Sequence, residues 1–334
     1  LARYFMNPKL ADPAYDAEDL IDGYVQNIGV AGGRKGYLPG PTGSLFGVPF
    51  GAETSVLFYR TDVFEKHKLA PPKTYTEMLD LACKIPQMEP GMGGVAMRAA
   101  SGHHAAHAFL LHLAPLGGRI FDDQWNPIVN NEKGIAAAQA LKKIVECGVR
   151  GSQVFGPAEA AASFAQGNSA MFLDSTVYAA GFENPANSKV VGKVGWVKHP
   201  VGVRAGSQTG GFGIGIPKNA KSKEAAFLLL QWLTSKEADL KIALEGGNPS
   251  RYSTHKNPTL NAKFPFSAAF GEALKDADPD WRPIIPPWGK INADLGTTLS
   301  KVLTENADIK ASLDGVAERT RAEMRAAGYY TWQK

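Results

Sequence analysis

Three histidines close together in the sequence form the first group whose spacing suggests chemistry. His103 and His107 are four positions apart, so a helix would place both rings on one face, as metal-binding histidines often are. His104 lies between them. No glutamate completes a zinc-protease motif, and no Asp, Glu or Cys lies nearby. The segment therefore predicts no metal site, and two alternatives remain: rings that contact a ligand, or rings that face solvent.

Carboxylate pairs are the second group, because two acidic side chains flanking a glycosidic bond can hydrolyse it. The candidates are Asp122 with Asp123, and the alternating Asp276, Asp278 and Asp280. Both sets lie in polar, turn-like sequence without the apolar surroundings that would raise the pKa of one acid. Motifs of serine hydrolases, zinc proteases, P-loop enzymes and dinucleotide-binding enzymes are absent from the sequence. The residues therefore predict no catalytic centre, and a carbohydrate-active hydrolase using a carboxylate pair is kept as an alternative function.

Segment 46–82 supplies a third group and shows how a polar side chain would be positioned. FGVPF and SVLFY are short apolar runs typical of strands, and Glu53 and Thr54 lie between them. After a double proline, Thr74 with Glu77 three positions later has the pattern of a helix capping box. Glu53 is therefore either a ligand contact between two strands or an ordinary turn carboxylate.

The rest of the chain alternates strands with helices, which predicts an α/β protein. Further strands are expected at 94–99, 169–174, 192–200 and 210–217. Helices are expected at 17–27, 105–116, 134–147, 157–166, 223–237, 266–275, 288–304 and 313–326. The strands fall in separate parts of the sequence, as in a two-lobe molecule whose chain crosses between lobes more than once.

Length and composition limit the class of protein. The 334 residues allow two domains or one large one, and 44% hydrophobic with 20% charged residues is ordinary for a globular chain. The net charge of +4 is small and its lysines and arginines are scattered, so we expect no nucleic-acid partner. No apolar run approaches the roughly 20 residues that span a bilayer. Cys83 and Cys147 are either two free thiols or one disulfide bridge.

Several blocks of sequence, in a consistent order, resemble the family 1 extracellular solute-binding proteins, the maltose-binding-protein-like sugar-binding subunits of ABC importers. The first block is Gly47-Val48-Pro49-Phe50, followed by YRTDVF (59–64) and PPKTYTE (71–77). FAQGNSAMFLDST (164–176) is the most specific match. The other matching blocks are 117–145, 210–238, 246–254 and 286–305. The resemblance extends over nearly the whole chain, which is identified as a member of this family.

This resemblance implies a two-lobe fold like that of type II periplasmic binding proteins, with hinge crossovers near 50–54, 205–211 and 248–255. The expected N-terminal lobe is 1–52 plus 208–252, and the expected C-terminal lobe is 53–207 plus 253–334. Family members open with further β-α units, so we expect this chain to lack the N-terminal quarter and its N-terminal lobe to be incomplete. The start at Leu1, without an initiating Met or a signal peptide, is typical of a processed or truncated product.

The resemblance also implies a binding site without catalytic residues. A sugar or sugar alcohol offers hydroxyls to carboxylates and guanidinium forks, and C–H faces to aromatic rings. The ligand-binding residues expected at the matching blocks are Glu53, Arg98, His103, His104, Asp174, Gly211, Asn248, Arg251 and Trp288. Glu53, Gly211 and Asn248 are expected at the floor of the cleft. Two alternatives remain, with Trp288 as a core residue and Arg98 as a surface residue.

The implied function is capture of a sugar or polyol between two lobes that close by hinge motion, followed by delivery to the permease subunits of an ABC transporter. The protein is expected to be a monomer that needs no cofactor or metal and does not span the membrane. Its expected location is the periplasm, or the outer surface of a Gram-positive cell through a lipid anchor. Besides a hydrolase, a receptor or scaffold module that needs no small ligand remains an alternative.

Overall fold

The structure, a computed structural model, describes residues 1–30, 44–278 and 281–330. Within these ranges the strands are β1 (Gly47–Glu53), β2 (Ser55–Arg60), β3 (Gly93–Ala96), β4 (Ser169–Ser175), β5 (Val194–Lys198), β6 (Ser207–Gln208), β7 (Gly210–Gly215) and β8 (Ala277–Asp278). The helices are α1 (Ala2–Phe5), α2 (Asp22–Tyr24), α3 (Thr61–Lys66), α4 (Tyr75–Met88), α5 (His103–Leu113), α6 (Glu132–Glu146), α7 (Pro157–Ala165), α8 (Ala179–Phe182), α9 (Lys223–Leu233), α10 (Lys236–Leu244), α11 (Tyr252–His255), α12 (Pro258–Lys263), α13 (Ser267–Leu274), α14 (Trp288–Thr304) and α15 (Ile309–Ala326). The expected α/β class is confirmed.

Contacts divide the chain into two compact units. Unit 1 consists of Leu1–Thr54, Ser175–Ala180 and Gln208–Ile285, and unit 2 of Ser55–Asp174, Gly181–Ser207 and Pro286–Lys334. The division expected from the sequence has boundaries near 52 and 207 as well, but it places residues 253–285 in the other lobe. They belong to unit 1 by contact because α11 packs against α10 and α13. Leu274, the last residue of α13, packs in a cluster with Ile21, Tyr24 and Ala52.

Unit 1 contains a two-stranded antiparallel sheet formed by β1 and β7. Phe50 pairs with Phe212, and the register then shifts so that Ala52 pairs with Gly211. Gly211 has a φ of 115°, and a Cβ there would lie 2.1 Å from the Gly51 carbonyl oxygen. Only glycine fits this conformation and this approach, so the bulge in the ladder depends on Gly211.

Unit 2 contains a four-stranded sheet in the order β3-β4-β2-β5. β3 and β4 run parallel, whereas β2 and β5 run antiparallel. A cluster of phenylalanine rings packs in the core of this unit, with neighbouring centroids 4.8–6.0 Å apart, and its members are Phe58, Phe164, Phe172 and Phe182. Because β3 and β4 are parallel neighbours, the residues at their carboxyl ends meet at one edge of the sheet.

The strands on either side of Glu53 do not form the expected strand–turn–strand unit. β1 pairs with β7 in unit 1, and β2 lies between β4 and β5 in unit 2. Thr54 joins them as a fully buried residue, and its hydroxyl donates to the Gln208 carbonyl oxygen at 2.8 Å. Glu53 is therefore the last residue of a ladder rather than a residue of a hairpin turn.

Local signals near α4 are confirmed. The Thr74 side chain accepts from the Glu77 backbone N–H, and the Glu77 carboxylate accepts from the Thr74 N–H, which is the predicted capping box. Cys83 on α4 forms a disulfide with Cys147, the residue after α6. Of the two alternatives for the cysteines, the structure has the bridge.

Two predicted helices differ from the structure. The helix expected at 17–27 is instead a 3₁₀ turn, the short α2 and a π-helical turn, and the Asp16 carboxylate pairs with Lys236 at 2.6 Å without capping a helix. The helix expected at 223–237 ends at Leu233, because Ser235 caps a new helix by accepting from the Ala238 N–H. Across the described parts of the chain, no helix has the length and apolarity needed to cross a membrane.

Candidate functional site

The first turn of α5 in unit 2 carries two of the expected site residues. α5 begins at His103, two residues before its predicted start, so His103 and His104 both lie in that turn. Gly102 precedes them with a φ of 77° and a ψ of −136°, a conformation that favours glycine. A Cβ on Gly296 of α14 would lie 1.6 Å from the Gly102 carbonyl oxygen. The start of α5 is therefore positioned by a close backbone approach to α14.

Arg98 and Asp174 meet at the carboxyl ends of β3 and β4. The Arg98 Nε donates to Asp174 Oδ2 at 2.7 Å, and its Nη2 donates to Oδ1 at 2.6 Å. Asp174 is 0% exposed and Arg98 is 8% exposed. The sequence predicted that each would bind a ligand, and the structure brings them together as partners of each other. The positive and negative charges of this pair compensate locally.

His104 is a half-exposed ring that interacts electrostatically with this ion pair. Burial lowers the pKa of His104 and the Arg98 guanidinium lowers it further, whereas the carboxylates of Asp174 and Glu159 oppose the shift. Its Nδ1 is buried and has no hydrogen-bond partner within the described chain. At neutral pH His104 is therefore an uncharged ring.

His103 is exposed, and its ring centroid lies 5.7 Å from that of His104 and 5.8 Å from that of His107. Among the residues that the structure describes, no group of His, Cys, Asp or Glu is arranged to hold a metal ion. The Nδ1 atom of His103 lies 3.0 Å from the amide nitrogen of Asn292 on α14. Contacts with residues of α5 and α14 therefore position the His103 ring.

Asn292 is a residue that the sequence reasoning missed. α14 begins at Trp288, as predicted, and Trp288 is half-buried there. The buried stripe of α14 includes Asn292, Leu295, Gly296 and Leu299, which recur at helical spacing. The signal in the sequence is an amide in an otherwise apolar stripe, because a buried polar side chain normally has a hydrogen-bond partner.

Glu53 is half-buried in unit 1 and is tied to its surroundings by both backbone and side chain. Its carbonyl oxygen accepts from the Tyr24 hydroxyl at 2.6 Å, and its carboxylate accepts from the Ser175 hydroxyl. Thr176, the next residue, donates its backbone N–H to the Thr54 carbonyl oxygen at 2.9 Å. The 175–180 segment therefore holds the end of β1, and Glu53 is a positioned acceptor.

Asn248 lies at a recess within unit 1. It is half-buried, and the recess is a small cavity of about 20 Å³ lined by Ala52, Thr176, Ala180, Ala243, Gly246, Gly247, Asn248, Pro249, His255, Leu260, Phe264, Phe266, Ser267, Phe270 and Leu274. Most of this lining is apolar and none of it carries a charge at neutral pH, since burial lowers the pKa of His255 against the opposing effect of the Ser267 and Pro249 carbonyls. A cavity of this volume holds about one water molecule.

Arg251 is fully buried in unit 1, where its Nε and Nη1 contact other residues and its Nη2 has no hydrogen-bond partner within the described chain. Its Nε donates to the Thr234 carbonyl oxygen at 2.8 Å, and its Nη1 donates to the Asp16 carbonyl oxygen at 2.8 Å. The same Nη1 lies 3.3 Å from the Asp19 carboxylate, and the guanidinium lies over the Tyr15 ring at 4.7 Å. These contacts join distant parts of unit 1, and the expected role of Arg251 as a donor fork for a ligand stays a prediction.

The acidic residues weighed as a hydrolytic pair have local roles where they are described. The Asp122 carboxylate accepts from the Gln124 and Asn126 backbone N–H groups and from the Asn126 amide. Burial acts to raise the pKa of Asp122, but these hydrogen bonds outweigh it and the pKa is lowered. The Asp278 carbonyl oxygen accepts from Thr209, and Asp280 lies outside the described residues. A general acid needs a raised pKa, so Asp122 does not fit that role.

Comparisons of sequence and of structure both match this chain to solute-binding proteins. The sequence profile of the family described as bacterial extracellular solute-binding protein matches residues 4–240. The mannitol-binding protein of Pseudomonas aeruginosa is 26% identical over 98% of this chain and 78% of its own length. A solute-binding protein of Agrobacterium radiobacter K84 in complex with ribitol is 27% identical, with a TM-score of 0.83 over 92% of this chain and 76% of that one. Another from Agrobacterium vitis S4, with bound D-mannitol, is also 27% identical, with a TM-score of 0.81 over 96% of this chain and 80% of that one.

Proposed function

Because this chain belongs to the bacterial extracellular solute-binding proteins, we propose that it binds an uncharged sugar or sugar alcohol and delivers it to the permease of an ABC transporter. Membership of this family assigns binding, not catalysis, to the chain. The observation that carries the ligand class is charge compensation of both arginines among the expected site residues.

Both arginines expected to bind a ligand already have partners. Arg98 donates two hydrogen bonds to Asp174, and Arg251 is occupied by Asp19 and two carbonyl oxygens. A carboxylate or phosphate ligand would therefore gain no uncompensated guanidinium from this set. Hydroxyl groups need only neutral donors and acceptors, which His104 supplies. The mannitol-binding relative and the structures that hold ribitol and D-mannitol support the same class.

The proposed ligand contacts come from polar and aromatic groups that the sequence predicted in each unit. In unit 2, the rings of His103 and His104 hydrogen-bond hydroxyls, and the Trp288 ring packs on C–H groups. In unit 1, Glu53 accepts from hydroxyls and the Asn248 amide both donates and accepts. The Gly211 backbone adds a polar contact with the ligand. The charges of Arg98 and Asp174 make the surroundings of His104 polar. Arg251 stabilises the fold of unit 1.

The proposed partner is a membrane permease, and the proposed location is the periplasm or a lipid-anchored position outside the cell. The family is extracellular, which supports a site of action beyond the cytoplasmic membrane. We propose that the protein acts as a monomer, since delivery requires one solute-loaded chain to dock on the permease.

A thermal-shift screen followed by calorimetry tests the ligand class. D-mannitol, ribitol and maltose form the neutral panel, and L-glutamate and glycerol 3-phosphate form the charged control panel. A ligand present at about 100 times its Kd stabilises the folded state by about 2.7 kcal/mol. We expect this stabilisation from a neutral compound. Stabilisation by the charged compounds alone would overturn the proposal.

A variant pair tests the site separately. His104→Ala should weaken the neutral ligand about tenfold, because one hydrogen bond is worth about 1 kcal/mol or slightly more. Asn184→Ala is the control, since Asn184 is exposed in unit 2 and its side chain accepts only from the nearby Ala186 N–H. Equal affinities of both variants and the parent protein would remove His104 from the proposed contacts.

A further inference from the structure

Gly51 is the extra residue of the bulge in β1. The pairing of β1 with β7 shifts between Phe50 and Ala52, so Gly51 has no residue opposite it on β7. A bulged residue is left out of the ladder of hydrogen bonds between the strands. The Gly51 backbone N–H donates instead to the Ser250 hydroxyl oxygen, at 2.7 Å. Ser250 therefore supplies the acceptor that the bulge needs.

This bulge determines on which face of β1 the side chain of Glu53 lies. Side chains alternate along a strand, so one extra residue moves every later side chain to the opposite face. Val48 and Ala52 are four positions apart and would share one face of a regular strand, but they pack in different hydrophobic clusters. Glu53, the residue after Ala52, is therefore moved to the opposite face as well.

Ser250 is also bound to two other parts of unit 1, and it is 2% exposed. Its backbone N–H donates to Asp239 Oδ1 at 2.9 Å, and its carbonyl oxygen accepts from the Ile21 N–H at 3.0 Å. Ser250 therefore joins β1 to α10 and to the residue that precedes α2. Because its backbone is held on both sides, its hydroxyl is a fixed acceptor for the N–H of Gly51.

Two hydroxyl groups hold Glu53 after the bulge. The Tyr24 hydroxyl donates to its carbonyl oxygen at 2.6 Å, and the Ser175 hydroxyl donates to its carboxylate. Without the bulge, the carboxylate would leave the face of β1 on which Ser175 meets it. The position of the carboxylate therefore depends on the contact between Ser250 and Gly51.

We propose that Ser250 is a positioning residue that acts on ligand binding through Glu53. Its hydroxyl fixes the bulge at Gly51, and the bulge directs the Glu53 carboxylate toward a hydroxyl of the ligand. This step rests on the proposed function, in which Glu53 accepts from a hydroxyl. Ser250 is buried and needs no contact with the ligand. A carboxylate that is fixed before binding loses less conformational entropy when the ligand binds, which increases affinity.

Hydrogen exchange followed by NMR tests the contact without a ligand. In the parent protein we expect slow exchange of the Gly51 amide, because its N–H is bonded to a buried hydroxyl. Ser250→Ala removes the acceptor and should speed this exchange about tenfold. Thr234→Val is the matched control and should leave the rate unchanged, since it removes a buried hydroxyl of unit 1 that contacts Tyr15 and Leu230 instead. Equal Gly51 exchange rates in the parent protein and Ser250→Ala would overturn the proposal.

Calorimetry with D-mannitol and ribitol tests the effect on binding, at a temperature at which every variant is folded. We expect Ser250→Ala to weaken a polyol that the parent protein binds about tenfold, the effect of losing about one hydrogen bond. Thr234→Val should bind the same polyol as tightly as the parent protein does. Unchanged affinity of Ser250→Ala would contradict the proposed role.

A double variant shows whether Ser250 acts through Glu53. Once Glu53→Ala has removed the carboxylate, adding Ser250→Ala should not weaken the ligand further, because the effects of coupled residues are not additive. Additive losses would mean that Ser250 affects binding only through the general stability of unit 1, and the proposal would be wrong. If neither polyol binds the parent protein, the proposed function fails for these ligands, while the exchange rate of the Gly51 amide still decides whether Ser250 fixes the bulge.

Discussion

The guanidinium of Arg98 and the carboxylate of Asp174 form a buried pair with two parallel hydrogen bonds, at 2.7 and 2.6 Å. The pair exists because β3 and β4 are parallel neighbours, so residues at their carboxyl ends meet although they are far apart in sequence. Each side chain neutralises the charge of the other, so neither needs a counter-ion from a ligand. This relationship favours an uncharged ligand at the histidines nearby.

Breaking the pair on one side should strongly destabilise the protein. Arg98→Met leaves the fully buried Asp174 carboxylate without its guanidinium, and loss of one partner of a buried ion pair costs about 3–5 kcal/mol. Urea unfolding of the ligand-free protein measures this change. The double substitution Arg98→Met with Asp174→Asn should recover part of the loss, because it removes both charges. If Arg98→Met has the same free energy of unfolding as the parent protein, the pair does not contribute to stability.

The approach of Gly296 to Gly102 should be essential for the position of the two site histidines. In Gly296→Ala the new Cβ would lie 1.6 Å from a backbone oxygen, so α5 and α14 must separate. We expect a lower melting temperature and weaker binding of any polyol that the parent protein binds. Gly289→Ala is the matched control on α14, since nothing lies within 4 Å of its Cβ and alanine favours a helix by up to about 1 kcal/mol. If the two variants have similar melting temperatures and polyol affinities, the contact between Gly296 and Gly102 does not determine the position of the histidines.

Features that depend on adjacent residues could be predicted from the sequence, whereas contacts between residues far apart in the sequence could not. The capping box at Thr74 and the start of α14 at Trp288 were predictable because each depends on a few adjacent residues. Arg98 and Asp174 were recognised as site candidates from the matching blocks, but their pairing depends on strand order, which no spacing encodes. Asn292 was missed although its place in an apolar stripe was visible, since its partner His103 lies on a different helix.

Buried histidines in unit 2 should make the protein sensitive to acid. Burial lowers the pKa of His112 to about 3 and that of His199 to about 4, from an ordinary value of 6.5. Between pH 6.5 and 4 the unfolded chain therefore binds protons that the folded chain does not. Stability is complete above pH ~6.5 and falls by about 1.4 kcal/mol per pH unit for each histidine below it.

Free energies of unfolding measured between pH ~6.5 and pH ~4 test this loss of stability in acid. His112→Leu removes one of the two groups, so the slope below pH ~6.5 should decrease by about 1.4 kcal/mol per pH unit. The variant also removes the 2.6 Å hydrogen bond between His112 and the Tyr75 hydroxyl, which lowers stability at every pH without changing the slope. Parallel curves for the variant and the parent protein would mean that His112 titrates normally in the folded state.

The disulfide between Cys83 and Cys147 should stabilise unit 2 mainly by restricting its unfolded chain. The bridge closes a loop with a sequence separation of 64 and joins α4 to the end of α6. Both helices pack on β3, and the Gly94 N–H donates to the Cys147 carbonyl oxygen at 2.9 Å. A loop of this length corresponds to about 4 kcal/mol in the chain-entropy estimate.

Replacing both cysteines, as Cys83→Ala with Cys147→Ala, should therefore lower the free energy of unfolding by about 2–4 kcal/mol. The folded protein keeps its other contacts, so polyol affinity at temperatures well below the melting transition should be unchanged. Treatment of the parent protein with a reductant should reproduce the loss, and the double variant should not respond to the reductant. If reduction lowers the affinity of the parent protein without lowering its stability, the bridge acts on the position of β3 and the Arg98–Asp174 pair that follows it, and the entropic explanation is wrong.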